Sequence, residues 1–205
     1  MSVHNDPHGG TDALRFAQDW LASQGQGSLD VSPAHRIDRE TSGVLILAWD
    51  RDVARTLQRA FEARRVRKIY RAVLRGSMKA KEGVWSFPLT DRAEGRKNPA
   101  GSSKDRVACE TRFHQTRANP YLTEIEVDLG SGRQHQIRKH SAIAGHHIVG
   151  DTRYGDPKHS VRIEKMFGFA RLLLHAEKIE IPDPVTGERM TLIAPLPREF
   201  SQVFE

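Results

Sequence analysis

The chain has 205 residues, enough for one substantial hydrophobic core, and its length gives no reason to expect two domains. Lysine and arginine outnumber aspartate and glutamate by 32 to 26, so the formal net charge is +6 and favours a polyanionic partner, either a nucleic acid or an acidic membrane surface. No run approaches about 18 apolar residues, and the first ten residues lack a signal-peptide core. We therefore expect a soluble, cytoplasmic protein, and charge alone leaves RNA, DNA and an acidic membrane surface open as partners. The single cysteine, Cys109, excludes an internal disulfide and a thiolate zinc cluster within the chain.

In chain order, the sequence predicts a few helices among many short strands. A first helix follows from the helical spacing of apolar residues over 13–21, with Thr11 as its cap, and Asp50 is placed to cap a second helix. Strands are predicted at 44–48, 68–76, 84–89, 107–113, 122–129, 172–181 and 190–193, and a third helix at 134–144. This pattern favours an α+β fold: a single domain with a mixed, largely antiparallel sheet flanked by helices and loops.

One short segment concentrates charge beside an apolar run. Residues 35–43 read His-Arg-Ile-Asp-Arg-Glu-Thr-Ser-Gly and lead directly into the predicted strand at 44–48. Arg36 and Arg39 flank Asp38, and neighbouring positive charge is expected to keep that carboxylate ionised at neutral pH, as a nucleophile or a base. An ordinary surface loop before a strand has a similar composition. The residues alone therefore do not decide whether Asp38 is a catalytic group or an ordinary loop residue.

Three later segments also carry polar side chains at close spacing. Residues 132–140 read Gly-Arg-Gln-His-Gln-Ile-Arg-Lys-His and open the third helix, whose N-terminus suits anions. Residues 145–155 read Gly-His-His-Ile-Val-Gly-Asp-Thr-Arg-Tyr-Gly, and residues 171–176 read Arg-Leu-Leu-Leu-His-Ala. On charge alone, the helix is equally consistent with a solvated basic face and with a functional site.

Taken together and in this order, the four segments resemble the RluA-type RNA pseudouridine synthases. That family carries His-Arg-Leu-Asp before Thr-Ser-Gly, then Gly-Arg-x-His-Gln-Ile/Leu-Arg-x-His, Gly-His-Pro-Ile-x-Gly-Asp-x-x-Tyr-Gly and a Leu-His-Ala strand. The chain departs from the family pattern at Ile37, where Leu is usual, and at His147, where Pro is usual. The resemblance implies the pseudouridine synthase fold and isomerisation of a specific uridine in tRNA or rRNA. It implies no cofactor, since the reaction needs no redox step or energy input.

The resemblance also implies a role for each site residue. Asp38 would be the catalytic carboxylate, and Arg138 would lie against it, lowering its pKa and orienting it by a charge-assisted bond. Tyr70, in a Lys-x-Tyr strand, would pack beside the uracil and assist removal of the proton from ring carbon 5. A stacked base must first be extruded, and Arg36 would fill the gap that it leaves.

RNA is the implied partner, and neither a membrane partner nor an obligate protein partner is implied. The residues predicted to bind RNA are mostly basic: Arg39, Arg64, Arg65, Arg67, Lys68, Arg96, Lys97, Arg133 and His135. The polar stretch 91–106 has no periodicity, and we expect it to be mobile unless RNA orders it. Because phosphate contacts do not read base identity, these residues indicate RNA but not which RNA.

Two alternatives stay open at this point. The family places an Asn-Lys-Pro-x-Gly strand before a Val-His pair, seen here as Val3-His4, so the catalytic domain over 1–205 is expected to lack that first strand. One alternative is therefore a catalytically inactive RNA-binding protein on the same scaffold. The other is a metal-dependent hydrolase that uses the histidines and Asp151, although no His-Glu-x-x-His pattern occurs and we predict no metal site.

Overall fold

The computed structural model describes residues 12–26 and 29–205, which form a central seven-stranded sheet, a separate two-stranded sheet and five helices. The strands are β1 Ser32–Pro33, β2 Ser42–Gly43, β3 Leu47–Ala48, β4 Arg67–Arg75, β5 Glu82–Trp85, β6 Thr111–Ala118, β7 Leu122–Asp128, β8 Leu174–Pro182 and β9 Arg189–Ile193. The helices are α1 Ala13–Ser23, α2 Arg51–Glu62, α3 Gln136–Ile143, α4 Pro157–Phe167 and α5 Glu199–Gln202. A single 3₁₀ turn within these ranges spans Ser103–Asp105.

The strand order of the central sheet is β2-β8-β4-β7-β6-β5, with β9 also paired to β8. β2 runs parallel to β8, and the other pairings in this sheet are antiparallel. β1 and β3 pair with each other in the small second sheet. The predicted α+β fold with a mixed, largely antiparallel sheet is thus confirmed.

Helices cover both faces of the central sheet because its inner strands alternate their apolar side chains between the two faces. Ala72 and Leu74 of β4 belong to the same apolar cluster as Ile137 of α3. Val73, between them, belongs to the cluster that includes Ile163 of α4 and the α5 side chain Phe200. The α3 face of the sheet therefore positions the residues of the 132–140 segment.

The helix α2 packs at the end of the sheet near the charged segment 35–43. Its buried side chains Ala54, Leu57 and Ala60 join the β8 residues Ile179 and Ile181 in a third apolar cluster. The Asp50 carboxylate accepts hydrogen bonds from the backbone N–H groups of residues 52 and 53, which confirms the predicted cap. Among the described residues, no helix is long and apolar enough to cross a membrane.

The predicted continuous strand at 44–48 is wrong. Its neighbourhood instead contains two short strands in different sheets, because Ser42–Gly43 pair with β8 whereas Leu47–Ala48 pair with β1. Gly43 adopts φ +120°, a conformation that side-chain-bearing residues rarely adopt. The chain can therefore turn away from β8 directly after the charged segment.

Two further differences concern the helices and the N-terminus. α1 is capped by Asp12, whose carboxylate accepts a 2.8 Å hydrogen bond from the backbone N–H of Arg15. Thr11, the predicted cap, and the Val3-His4 pair lie outside the described residues. The helix α4 was not predicted, although Asp156 caps it and Pro157 occupies its first turn, both ordinary start signals.

Gly43→Ala is expected to destabilise the fold by about 2 kcal/mol or more, because an added Cβ would overlap the Ala176 carbonyl and the positive φ disfavours alanine. Urea denaturation measures this loss. Gly95→Ala, where a Cβ would meet nothing within 4 Å, is the matched control. Equal stability of the two variants would contradict the tight packing of β2 on β8.

Candidate active site

A cleft of about 490 Å³ lies between the loop that joins β1 to β2 and the start of α3. Six of the predicted site residues line it: Arg36, Asp38, Lys68, Tyr70, Arg133 and His135. Apolar side chains that the sequence did not single out for the site complete the walls: Ile37, Phe61, Leu129, Ile137 and Leu174. A few polar groups in a partly apolar concavity are the usual composition of a ligand site.

The loop that carries Asp38 is held at both ends by hydrogen bonds. The backbone N–H of Thr41 donates to the Asp38 carbonyl at 2.9 Å, which closes a tight turn. At the other end, Nε2 of His35 accepts a 3.1 Å hydrogen bond from the backbone N–H of Ile46, and its ring stacks on Phe61 at 4.6 Å. These contacts fix the backbone on both sides of the carboxylate.

Burial raises the pKa of Asp38 above the ordinary value of 3.8, and the charges of Arg138 and Arg36 oppose this shift. Glu40 and Asp151 add to the upward shift because they are acidic neighbours. The arginines thus act in the predicted direction, but the prediction of a net lowering is wrong because desolvation outweighs them. A carboxylate with a raised pKa is a better proton acceptor than an ordinary aspartate.

Arg138 is buried behind the cleft and does not form the predicted bond to Asp38. Its Nε and Nη2 atoms each donate to the Asp151 carboxylate at 2.8 Å, and Nη1 lies 2.8 Å from a Glu40 oxygen. Among the described residues, these two acids are its ion-pair partners. The predicted geometry is wrong because Asp151, which is 1% exposed, accepts hydrogen bonds from two of the three guanidinium nitrogens.

Tyr70 projects from β4 into the same cleft as Asp38. Burial and the nearby Asp38 charge raise the pKa of its phenol well above the usual value of 10, so the hydroxyl stays protonated at neutral pH. The side chain can therefore donate a hydrogen bond or pack against a flat ligand in its resting state. It becomes a base only after it has lost its proton to another group.

His135 lies at the start of α3 with its backbone in the left-handed region, at φ +57°. Its Nε2 atom is 3.8 Å from Oδ1 of Asp38, and its Nδ1 atom is 2.9 Å from the Tyr154 hydroxyl. Burial, and then the positive charge of Arg138, lowers the pKa of His135 to about 4. The imidazole is therefore neutral at pH 7 and directed inward, so its predicted contact with RNA stays a prediction.

Gln136 is a structural residue of the site that sequence reasoning missed. Its side-chain nitrogen donates to the Glu110 carbonyl at 2.8 Å and to the Thr111 hydroxyl at 3.0 Å. Its oxygen accepts hydrogen bonds from the Ser131 hydroxyl and from the backbone N–H of Arg133. This buried amide therefore fixes the turn that brings Arg133 to the cleft. The sequence signal for this role was a glutamine at the start of a predicted helix.

The predicted RNA-binding residues other than His135 divide into three groups. Lys68 and Arg133 line the cleft itself, and an adjoining groove of about 520 Å³ is lined by four arginines, including one that was not predicted: Arg64, Arg65, Arg67 and Arg189. Three others do not line the cleft and are exposed: Arg39, Arg96 and Lys97. The cleft thus opens onto a basic surface that can follow a phosphate chain.

The histidines near the site make contacts other than metal ligation. The two ring nitrogens of His140 bond the Thr111 hydroxyl and the Phe87 carbonyl, both at 2.8 Å. Those of His175 bond the Ser42 hydroxyl and the Ala194 carbonyl. Within residues 12–26 and 29–205, no three side chains of the metal-ligating types converge.

Acidification is expected to destabilise the protein, in part through His35. Burial lowers the pKa of His35 to about 4 from the ordinary 6.5, so the unfolded chain takes up a proton between these pH values and the folded chain does not. Stability contributed by the neutral ring is therefore present above pH 6.5 and falls as the pH drops towards 4. Glutamine at this position can still accept from Ile46 but does not titrate.

The melting temperature of His35→Gln should consequently fall less than that of the wild type between pH 7 and pH 4.5. His114→Gln, at an exposed position on β6, serves as the control and should follow the wild type. An equal fall in His35→Gln and the wild type would show that His35 is not the titrating group.

The fold of the chain is similar to that of a solved human protein, and a sequence family matches most of its length. The human protein RNA Pseudouridylate Synthase Domain Containing 4 superposes with a TM-score of 0.79 at 25% identity, covering 98% of this chain and 84% of that chain. A sequence family described as RNA pseudouridylate synthase matches residues 2–142. The chain belongs to this family.

Two bacterial relatives carry different substrates in their names. The chain is 36% identical over 176 residues to tRNA pseudouridine synthase C of Pectobacterium carotovorum subsp. carotovorum, covering 80% of this chain and 46% of that protein. It is 38% identical over 163 residues to ribosomal large subunit pseudouridine synthase C of Haemophilus ducreyi, covering 79% of this chain and 51% of that protein. The chain thus spans about half the length of these curated relatives.

Proposed function

We propose that the protein is an RNA pseudouridine synthase that isomerises a specific uridine of tRNA or rRNA, with Asp38 as the catalytic carboxylate. The observation that carries this proposal is the single cleft in which Asp38, Tyr70 and Arg36 meet, in a chain of the RNA pseudouridylate synthase family. The names of the relatives support both RNA classes and do not choose between them.

The reaction breaks the bond between uracil N1 and the ribose and forms a bond from ring carbon 5 to the same ribose carbon. The proton on carbon 5 is lost, and N1 gains one, so the change is an isomerisation. Asp38 acts on the base or the ribose to open the first bond, and its raised pKa suits it to proton transfer as well. Tyr70 packs against the uracil and hydrogen-bonds to it through its protonated phenol.

A uridine within structured RNA reaches such a cleft only after it leaves its stack. Arg36 is exposed at the cleft and carries a flat guanidinium, which suits it to occupy the space that the base vacates. The basic groove beside the cleft holds the flanking phosphates without reading their sequence. We further propose that residues 1–205 act as one catalytic domain in the cytoplasm, and that neither a cofactor nor an obligate protein partner is needed.

The function is tested by incubating the purified chain with unmodified transcripts of a full tRNA set and of the ribosomal RNAs. Pseudouridine is then located by carbodiimide modification and primer extension. A new stop at one uridine, in either RNA class, is the expected result and also identifies the substrate. RNA binding without any new stop would favour the inactive RNA-binding scaffold instead.

A further inference from the structure

We propose that His135 and Tyr154 are positioning residues for Asp38: the Tyr154 hydroxyl donates to Nδ1 of His135, which leaves the imidazole proton on Nε2, facing the Asp38 carboxylate. The inference rests on the proposed function, in which Asp38 is the catalytic carboxylate. It gives His135 a role other than the RNA contact that its sequence position suggested.

The His135 ring lies between the other two groups, with one nitrogen near each. The Tyr154 oxygen is 2.9 Å from Nδ1 of His135, and Nε2 on the opposite side of the ring is 3.8 Å from Oδ1 of Asp38. The second distance is longer than an N–H···O hydrogen bond, which rarely exceeds about 3.2 Å. Contacts of this kind are often long before substrate binds and shorten in the reacting complex.

Tyr154 is fixed independently of His135. Its backbone N–H donates to Oδ1 of Asp151 at 2.9 Å, and the Arg138 guanidinium lies 5.4 Å from its ring centre. Its side chain is buried, and its ring meets the edge of the His135 ring at a centroid distance of 5.6 Å. The hydroxyl is thus presented to the imidazole by a rigid part of the core.

This arrangement selects one tautomer of His135. A proton on Nδ1 would leave the buried Tyr154 hydroxyl without its acceptor and would turn the Nε2 lone pair towards the anionic Asp38 oxygen. A proton on Nε2 satisfies the hydroxyl and places an N–H beside the carboxylate. The pKa of His135, lowered to about 4, leaves the ring neutral at pH 7, so the choice of tautomer matters.

The backbone of His135 supports the same interpretation. Its left-handed conformation costs on the order of 1–2 kcal/mol relative to ordinary helical backbone for a residue with a Cβ. In this conformation the side chain lies between Tyr154 and Asp38, where it is 12% exposed. Backbone strain of this kind is concentrated at functional sites.

Asp38 has several other charged or titratable neighbours, and they must be kept constant in any test. They are Arg36 and Glu40 from its own loop, Tyr70 from β4, Arg138 and Lys139 from α3, and Asp151 from the turn after residue 150. Removing the hydroxyl of Tyr154 changes none of them. A shift in the ionisation of Asp38 in Tyr154→Phe therefore reports on the His135 tautomer.

The first test needs no RNA. Histidine ¹⁵N chemical shifts distinguish the two neutral tautomers, and we expect the wild type to show His135 protonated on Nε2. In Tyr154→Phe the ring should become a mixture of both tautomers. Tyr121→Phe, at a tyrosine that is 77% exposed, is the matched control and should leave the spectrum unchanged. A wild-type ring protonated on Nδ1 would overturn the inference.

The second test measures kinetics on the transcript that the wild type modifies. We expect Tyr154→Phe and His135→Ala to lower kcat by about tenfold to a hundredfold with little change in KM, since they disturb the alignment of a reacting group. The acid limb of kcat/KM should move to higher pH because the carboxylate loses a donor. His135→Gln, which keeps an N–H near the Nε2 position, should retain more activity than His135→Ala.

A raised KM with unchanged kcat and an unchanged acid limb would assign His135 to RNA binding and overturn the positioning role. The two failures are distinguishable. An inactive wild type would contradict the proposed function, whereas an active wild type with unaffected Tyr154→Phe and His135→Ala would contradict the positioning role alone.

Discussion

Replacing Asp38 with asparagine is expected to lower the rate of pseudouridine formation by about 10³-fold or more while RNA affinity is retained. Asparagine has nearly the same shape as aspartate but can neither attack as an anion nor accept a proton at neutral pH. The Asp38 side chain is only 19% exposed, and among the described residues its one contact with a basic side chain within 4 Å is the His135 ring, which is neutral at pH 7. The fold should therefore tolerate the asparagine side chain at this position.

Rate and binding are measured on the same transcript, by single-turnover kinetics and by filter binding, with the melting temperature as a check on folding. Asp52→Asn, at an exposed acid on α2, is the matched control and should keep the wild-type rate. An Asp38→Asn variant that is folded, binds RNA and turns over at the wild-type rate would remove the carboxylate from the mechanism.

The second large effect concerns stability. Arg138 and Asp151 are each 1% exposed and form a two-bond ion pair. Removing Arg138 leaves the buried Asp151 carboxylate without a counter-charge, and removing Asp151 leaves the buried guanidinium with only the partly exposed Glu40. Arg138→Met and Asp151→Asn are each expected to cost about 3–5 kcal/mol of unfolding free energy. The double variant should be less destabilised than the sum of the two, because neither buried charge then remains and only the partly exposed Glu40 loses a partner.

Urea denaturation of the two single variants and the double variant gives this coupling directly. The exposed pair of Arg51 and Asp30, with N and O atoms 3.0 Å apart, provides the control, and Arg51→Met should change stability by about 1 kcal/mol or less. Simple additivity of the Arg138 and Asp151 substitutions would show that the pair does not act as a unit.

Long elements with strong local signals were predictable from the sequence. The α2 helix has an Asp50 cap and an apolar face, and β4 and β7 are long runs of residues that favour strands, so local preferences agree with the final structure. The split of 44–48 into separate strands was not predictable, because it depends on pairing with β1 and β8, which are distant in sequence.

The residues that line the site were more predictable from the sequence than their pKa shifts and ion pairs. Motif order brought Asp38, Tyr70 and Arg133 into consideration together, and all three line one cleft. The sign of the Asp38 pKa shift was not predictable, since it depends on how deeply the loop is buried. Sequence spacing also could not show that Arg138 bonds Asp151, because Asp38 and Asp151 are both near Arg138 in the fold.

The proposed isomerisation can be followed by release of tritium from ring carbon 5 of labelled uridine in unmodified tRNA and rRNA transcripts, with wild type and Asp38→Asn side by side. Release follows from the new bond at carbon 5 and from no other reaction considered for this chain. We expect release by the wild type, unaffected by a chelator, and none by Asp38→Asn. No release from either protein, with RNA binding and folding intact, would contradict the proposal that this chain is a pseudouridine synthase.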